Sequence, residues 1–154
     1  MIMIEGVIIK ELKKNADDRG WLVETFRVDE LPDNISPVMS YVSMTKPGIA
    51  RGPHEHKEQT DIFVFIGPGM FELHLWDNRP DSSTYGKYET FRFGAEAMAA
   101  VTVPPGIVHG YKNIGSDEAW CLNYPDRLYA GAGKKEEGDE IRHEQNSASK
   151  FIIK

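Results

Sequence analysis

Arg51-Gly-Pro-His-Glu-His-Lys-Glu-Gln-Thr-Asp61 sets two imidazoles and a carboxylate close together along the chain. His54 and His56 are two apart, so in an extended segment their side chains leave the same face. Asp61 stands at the head of the apolar run Ile62-Phe-Val-Phe-Ile66. A second stretch, Pro104-Pro-Gly-Ile-Val-His-Gly-Tyr-Lys-Asn113, carries His109 just after a Pro-x-Gly turn, which suits a sharp reversal into the next strand. Three imidazoles and a carboxylate are therefore expected to meet inside one small β-barrel.

Working outward, short apolar or alternating segments recur on both sides of these stretches. Gly6-Val-Ile-Ile-Lys10, Trp21-Leu-Val-Glu-Thr-Phe26, Met70-Phe-Glu-Leu-His-Leu-Trp76, Tyr88-Glu-Thr-Phe-Arg-Phe93, Met98-Ala-Ala-Val-Thr-Val103 and Glu118-Ala-Trp-Cys-Leu-Asn-Tyr124 read as strands. The loop Asp77-Asn-Arg-Pro-Asp-Ser-Ser83 is dense in turn formers. Many short strands at near-regular spacing predict an all-β sandwich or barrel. Residues 1–144 are read as one domain. Within it, the charged run from Lys134 to Glu144 is expected to be a helix or a surface wrap. Residues 145–154 are read as a polar tail, of which 145–150 should be loosely held.

Composition narrows the function classes. A length of 154 residues suits one domain with a real core. A formal charge of −6 argues against nucleic-acid binding, which relies on a basic face. No apolar run approaches the roughly 18 residues of a membrane span, and Met1-Ile-Met-Ile-Glu5 lacks a basic region followed by an apolar core, so a soluble, cytoplasmic protein is expected. Cys121, in Trp120-Cys-Leu122, reads as a buried strand residue rather than a catalytic thiol. His74 reads as barrel-lining or surface, and His143, in a charged run, as solvated.

The two opening stretches resemble the paired motifs of the cupin superfamily, which implies a double-stranded β-helix, or jelly-roll, barrel with a short charged carboxy-terminal segment. His54, His56, Asp61 and Gly67 take the places of the first motif, with Asp for the usual Glu. Pro104, Gly106, His109 and Asn113 match the second. A closer resemblance is to the dTDP-4-dehydrorhamnose 3,5-epimerases, with the cupin sugar 3,4-ketoisomerases as near relatives. Asp18-Arg-Gly-Trp-Leu-Val-Glu-Thr-Phe26 looks like their amino-terminal signature, with one residue fewer between the Asp and the Arg. Arg51-Gly-Pro-His54, Ser83-Thr-Tyr-Gly-Lys-Tyr88, Pro105-Gly-Ile-Val-His-Gly-Tyr111 and Asn123-Tyr124 with Tyr129 follow in the family's order.

That resemblance implies an epimerase or isomerase of a nucleotide-linked 4-keto-6-deoxy sugar, as in dTDP-rhamnose biosynthesis, working without a cofactor as a homodimer. It implies His54 as the base, Tyr124 as the opposed acid, Arg51 as the donor to the enolate oxygen and Asp139 as the carboxylate orienting the base. Arg19, Glu24, His109 and Tyr129 are implied to bind substrate, with Arg19 and Glu24 serving the neighbour's site. The sequence departs from the family at Met39 and Tyr41, which stand where members carry a Gln and an Asn that help hold the nucleotide. A Lys near the start of the strand after the catalytic His has no counterpart, nor has the Trp after the family's late Asp-Pro stretch. Two alternatives stay open. One is a metal-dependent cupin, oxygenase or isomerase, holding Fe, Mn, Ni or Zn on His54, His56, Asp61 and His109. The other is a non-catalytic cupin that binds a sugar or nucleotide.

Overall fold

The structure is a computed structural model that describes residues 3–154. Two five-stranded antiparallel sheets face each other. The first orders β1 (Ile8–Glu11), β9 (Ala99–Val103), β6 (Asp61–Phe65), β11 (Ala119–Asn123) and β4 (Tyr41–Thr45). The second orders β12 (Glu140–Arg142), β5 (Ala50–His56), β10 (Ile107–Asn113), β7 (Met70–Asp77) and β8 (Tyr88–Gly94). The short β2 (Asn15–Asp17) and β3 (Gly20–Leu22) form a separate hairpin. The all-β barrel expected from the strand spacing is what the chain builds.

Period-two patterning decides what lies between the sheets. From the first sheet Phe63, Phe65, Val101, Val103 and Cys121 turn inward, and from the second Phe71, Leu73, Leu75, Ile107 and Tyr111 meet them. Phe65 lies 5.6 Å from Phe71 and Phe63 5.7 Å from Tyr111, ring centre to ring centre. Burying a side chain of this size contributes about 1.5–3 kcal/mol. The alternate residues Ile62, Val64 and Ala100 point to the opposite face, where Leu12, Leu31, Ile35, Leu122 and Tyr124 cover them.

The segment read as a strand over Trp21–Phe26 is strand only to Leu22. It pairs with Asn15–Asp17, its residues are exposed, and beyond Leu22 the chain leaves the hairpin to lay Phe26 against Tyr124. No third strand flanks the hairpin among the described residues, so nothing extends its pattern. The charged run is a surface wrap with no α-helix, bounded by 3-10 turns at Ala132–Lys134 and His143–Gln145, with β12 pairing to the edge of β5. His143 is not solvated: its Nε2 sits 2.8 Å from Glu55 Oε1, and its ring meets Phe151 at 4.7 Å. Phe151 also packs on Trp76, so the residues read as a polar tail include a buried anchor.

Gly52 governs how β5 meets β10. Its φ of +82° is one that L side chains rarely adopt, and a Cβ there would stand 2.7 Å from the His109 carbonyl oxygen. Beside it the register between the two strands shifts between His109 and Tyr111, and His54 falls opposite His109.

Candidate functional site

A hollow of about 830 Å³ opens at the β5 end of the barrel, within the ~300–1,000 Å³ typical of ligand clefts. His54 and His56 line it from β5, Arg51 stands beside them, and Tyr41 and Ser43 enter from β4 on the other sheet. The His54 ring lies 4.6 Å from that of His109 and 5.6 Å from that of His56.

Beneath the imidazoles Asp61 is 1% exposed. Its Oδ1 accepts from Gln59 Nε2 at 2.9 Å and Asn123 Nδ2 at 2.8 Å. Its Oδ2 faces His56 Nε2 at 3.1 Å and His109 Nε2 at 3.4 Å. Burial alone would raise the Asp61 carboxyl, but His109 and His56 outweigh it and hold the group well below the usual carboxylate range. His109 donates its Nδ1 hydrogen to the Ile107 carbonyl at 2.8 Å, so its Nε2 is the nitrogen turned toward Asp61.

The imidazoles of β5 are pulled in opposite directions. Burial lowers His56, but the Asp61 carboxylate more than compensates and leaves it raised above 6.5. His54 has no such partner. Burial, then the neighbouring His109 and His56, press it from 6.5 to about 3. His54 is therefore held as a neutral imidazole facing the hollow, with a nitrogen lone pair free to accept a proton. Arg51 is fixed by its Nε donating to Thr45 Oγ1 at 2.9 Å and its Nη2 to the Met44 carbonyl at 2.7 Å.

Other sequence-derived assignments land elsewhere. Tyr124 does not face His54. Its hydroxyl lies 3.2 Å from Thr25 Oγ1, its ring 4.8 Å from Phe26, and it belongs to the outer face of the first sheet, away from the hollow. Strand alternation explains this, since Cys121 and Asn123 point inward and the next residue turns out. Asp139 does not reach His54 either. Its carboxylate accepts the backbone N–H groups of Lys57, Glu58 and Gln59 at 2.7, 3.0 and 2.8 Å, and stands 3.5 Å from His56 Nδ1. It pins the turn that leads to Asp61. Tyr129 lies at the rim of the hollow, and Arg19 is paired with Asp17 on the exposed hairpin, while Glu24 stands 3.5 Å from Arg27. Neither Arg19 nor Glu24 lines the hollow of its own chain.

Comparison with known proteins settles the lineage. The profile of the dTDP-4-dehydrorhamnose 3,5-epimerases matches residues 1–140. The chain belongs to the dTDP-4-dehydrorhamnose 3,5-epimerase family. It is 42% identical over 127 residues to the probable low-salt glycan biosynthesis epimerase Agl13 of Haloferax volcanii, covering 82% of this chain and 81% of that protein. It is 35% identical over 129 residues to the spore coat polysaccharide biosynthesis protein SpsL of Bacillus subtilis, covering 82% and 83%. A solved dTDP sugar isomerase from Desulfovibrio desulfuricans G20 has the same fold, with a TM-score of 0.82 at 22% identity over 96% of this chain and 90% of that one. A 4-keto-6-deoxy sugar epimerase from the novobiocin biosynthetic gene cluster of Streptomyces spheroides superimposes with a TM-score of 0.74 at 27% identity, over 84% and 67%.

The 3,5-epimerases need no cofactor. Within this family member, however, His54, His56, Asp61 and His109 each offer a donor atom, all within 4.8 Å of one another. Three nitrogens and one oxygen at that separation are a set that suits a first-row divalent ion. From the sequence alone no site role falls to Tyr41, noted only as a departure from the family, or to Asn123, Gln59 and Arg142, all of which line or brace the hollow. The first two are cross-strand partners on β4 and β11, a signal that needs the strand pairing to be read.

Proposed function

We propose that the protein is an epimerase of a nucleotide-linked 4-keto-6-deoxy sugar, with His54 removing a proton from a carbon beside the ketone. The observation that carries this is the neutral His54 imidazole at the wall of the hollow, in a chain of the epimerase family. The ketone acidifies the neighbouring C–H bonds, and an anchored Arg51 beside the base suits the oxygen on which enolate charge develops. Loss of such a donor commonly costs roughly 3–4 kcal/mol. A dTDP-linked sugar of the rhamnose series is the substrate favoured by relatives such as the dTDP-4-dehydrorhamnose 3,5-epimerase of Methanothermobacter thermautotrophicus, 31% identical over 126 residues.

The functional unit is a homodimer. Strand β4 is an open sheet edge, and beside it Val42, Met44 and Trp120 leave one apolar patch exposed on the outer face. In such a pair the hairpin brings Arg19, and the segment just beyond it Glu24, to the neighbour's hollow, where Tyr129 stands at the rim. His109, also assigned to substrate binding by the resemblance, is 1% exposed and faces Asp61 beneath the hollow, so its part is to position that carboxylate. The cytoplasm is the compartment that fits the lone buried thiol of Cys121. No helix among the described residues is long and apolar enough to cross a membrane.

Incubation with dTDP-linked 4-keto-6-deoxy sugars in deuterium oxide tests the activity. Deuterium enters the carbons flanking the ketone only with protein present, and the new epimer accumulates; a substrate panel without exchange overturns the reading. The four-donor cluster supports a second reading, metal-assisted isomerisation. Metal content of the purified protein, measured together with exchange after chelation, separates the two.

A further inference from the structure

Inverting a centre beside a ketone takes a base on one face of the carbon and an acid on the other. His54 supplies the first, and Tyr124, on the outside of the sheet, does not supply the second. The hollow holds another phenol where the reaction needs one. Tyr41 lies on β4 of the first sheet and His54 on β5 of the second, and both line the hollow from these opposite walls.

Hydrogen-bond direction makes Tyr41 a donor in waiting. Asn123, its cross-strand partner, donates Nδ2 hydrogens to the Tyr41 oxygen and to Asp61 Oδ1, each at 2.8 Å. An amide nitrogen only donates, so the phenol oxygen accepts and its own O–H is left unspent. Burial of the hydroxyl end, opposed by the Asn123 bond and reinforced by Asp61, pushes this phenol up to about 12, so it carries its proton at neutral pH. The other phenols lining the hollow are placed differently. The Tyr111 hydroxyl is engaged with Ser43 at 3.0 Å, and Tyr129 stands half-exposed at the rim.

We propose that Tyr41 is the acid that returns the proton on the face opposite His54, held in place by Asn123. This assignment rests on the epimerase reading given above. His54 takes the proton, the C–H electron pair becomes the C=C bond, and the carbonyl electrons move to oxygen as an enolate beside Arg51. When the carbonyl re-forms, the same carbon takes the Tyr41 hydrogen from the other side. The phenolate recovers a proton from water and the His54 imidazolium releases its own to water.

Three full-length proteins decide the matter, wild type, Tyr41→Phe and Tyr124→Phe, each given a dTDP-linked 4-keto-6-deoxy sugar in deuterium oxide. Tyr41→Phe is expected to keep deuterium wash-in by His54 within a few-fold of wild type while epimer formation falls about 10²–10⁴-fold. Tyr124→Phe keeps both. Wild-type epimer formation that survives Tyr41→Phe overturns this assignment alone, whereas wild-type protein that exchanges no proton overturns the epimerase reading and the assignment with it. Should Tyr41→Phe lose its fold by thermal melt, 3-fluorotyrosine at position 41 replaces it. The more acidic phenol is expected to move the alkaline limb of epimer formation to lower pH, and an unmoved limb overturns the proposal.

Discussion

The two ends of the barrel put the strand they share, β6, to opposite purposes, with Phe65 at one end and Asp61 at the other. At the closed end Phe65, Phe71 and Phe93 interleave as an apolar core with ring centres 5.6–5.8 Å apart. At the open end β5, β6 and β10 bury three imidazoles and a carboxylate, and Asp61 Oδ2 and His109 Nε2 are near one another yet poorly aligned as a hydrogen bond. Buried polar groups left imperfectly satisfied cost stability. The open end therefore tolerates a destabilising arrangement that the closed end offsets, and reactivity is gathered where the packing is least complete.

The largest effect that sharpens this division is at His54. Replacing it with Asn should lower the rate of solvent exchange at the substrate carbon by about 10²–10⁴-fold while the urea midpoint does not fall, a pattern read by deuterium incorporation and equilibrium unfolding. The reverse pattern belongs to Phe65, which is fully buried. Phe65→Ala should cost about 3–5 kcal/mol in urea unfolding, with substrate chemistry unchanged per folded molecule at low temperature. Equal loss of stability from both substitutions would break the comparison.

Acid titration gives a smaller effect with a definite sign. His54 takes a proton near 6.5 when unfolded and near 3 when folded. Between those values the unfolded chain binds the proton that the native state refuses, so stability falls as pH falls through that window. Asp61, held low in the folded chain, adds a further loss below about 4. His56 has the opposite sign, contributing stability below 6.5 that fades as pH rises through its raised folded value. Urea midpoints between pH 7 and 4 should therefore slope downward in wild type and flatten in His54→Asn. The smallest effect expected is from chelation: dialysis against EDTA should leave proton exchange within about two-fold of untreated protein. Loss of exchange, restored by one added metal, would favour the metal-assisted reading.

Much of this was legible in the residues. The strands followed from period-two alternation, and the convergence of His54, His56, Asp61 and His109 followed from two motifs whose spacing reflects strand and turn geometry. What escaped depended on parity and on long-range pairing. The resemblance assigns Tyr124 as the acid, yet a buried Cys121 in the same strand implies that 123 points in and 124 points out. Asp139 reaches a turn some eighty residues earlier through backbone N–H groups, which no side-chain pattern announces. His143 looked solvated because its neighbours in sequence are charged, whereas its neighbours in space are Glu55 and Phe151.

The separation of the two facing imidazoles is set by an atom that is missing. With no methyl group at position 52, strand β5 can settle onto the backbone of β10; any larger residue would act as a wedge, opening the gap between His54 and His109 before it touched either ring. A substitution at that single position would thus be expected to silence the chemistry while every reactive group remained present in the chain.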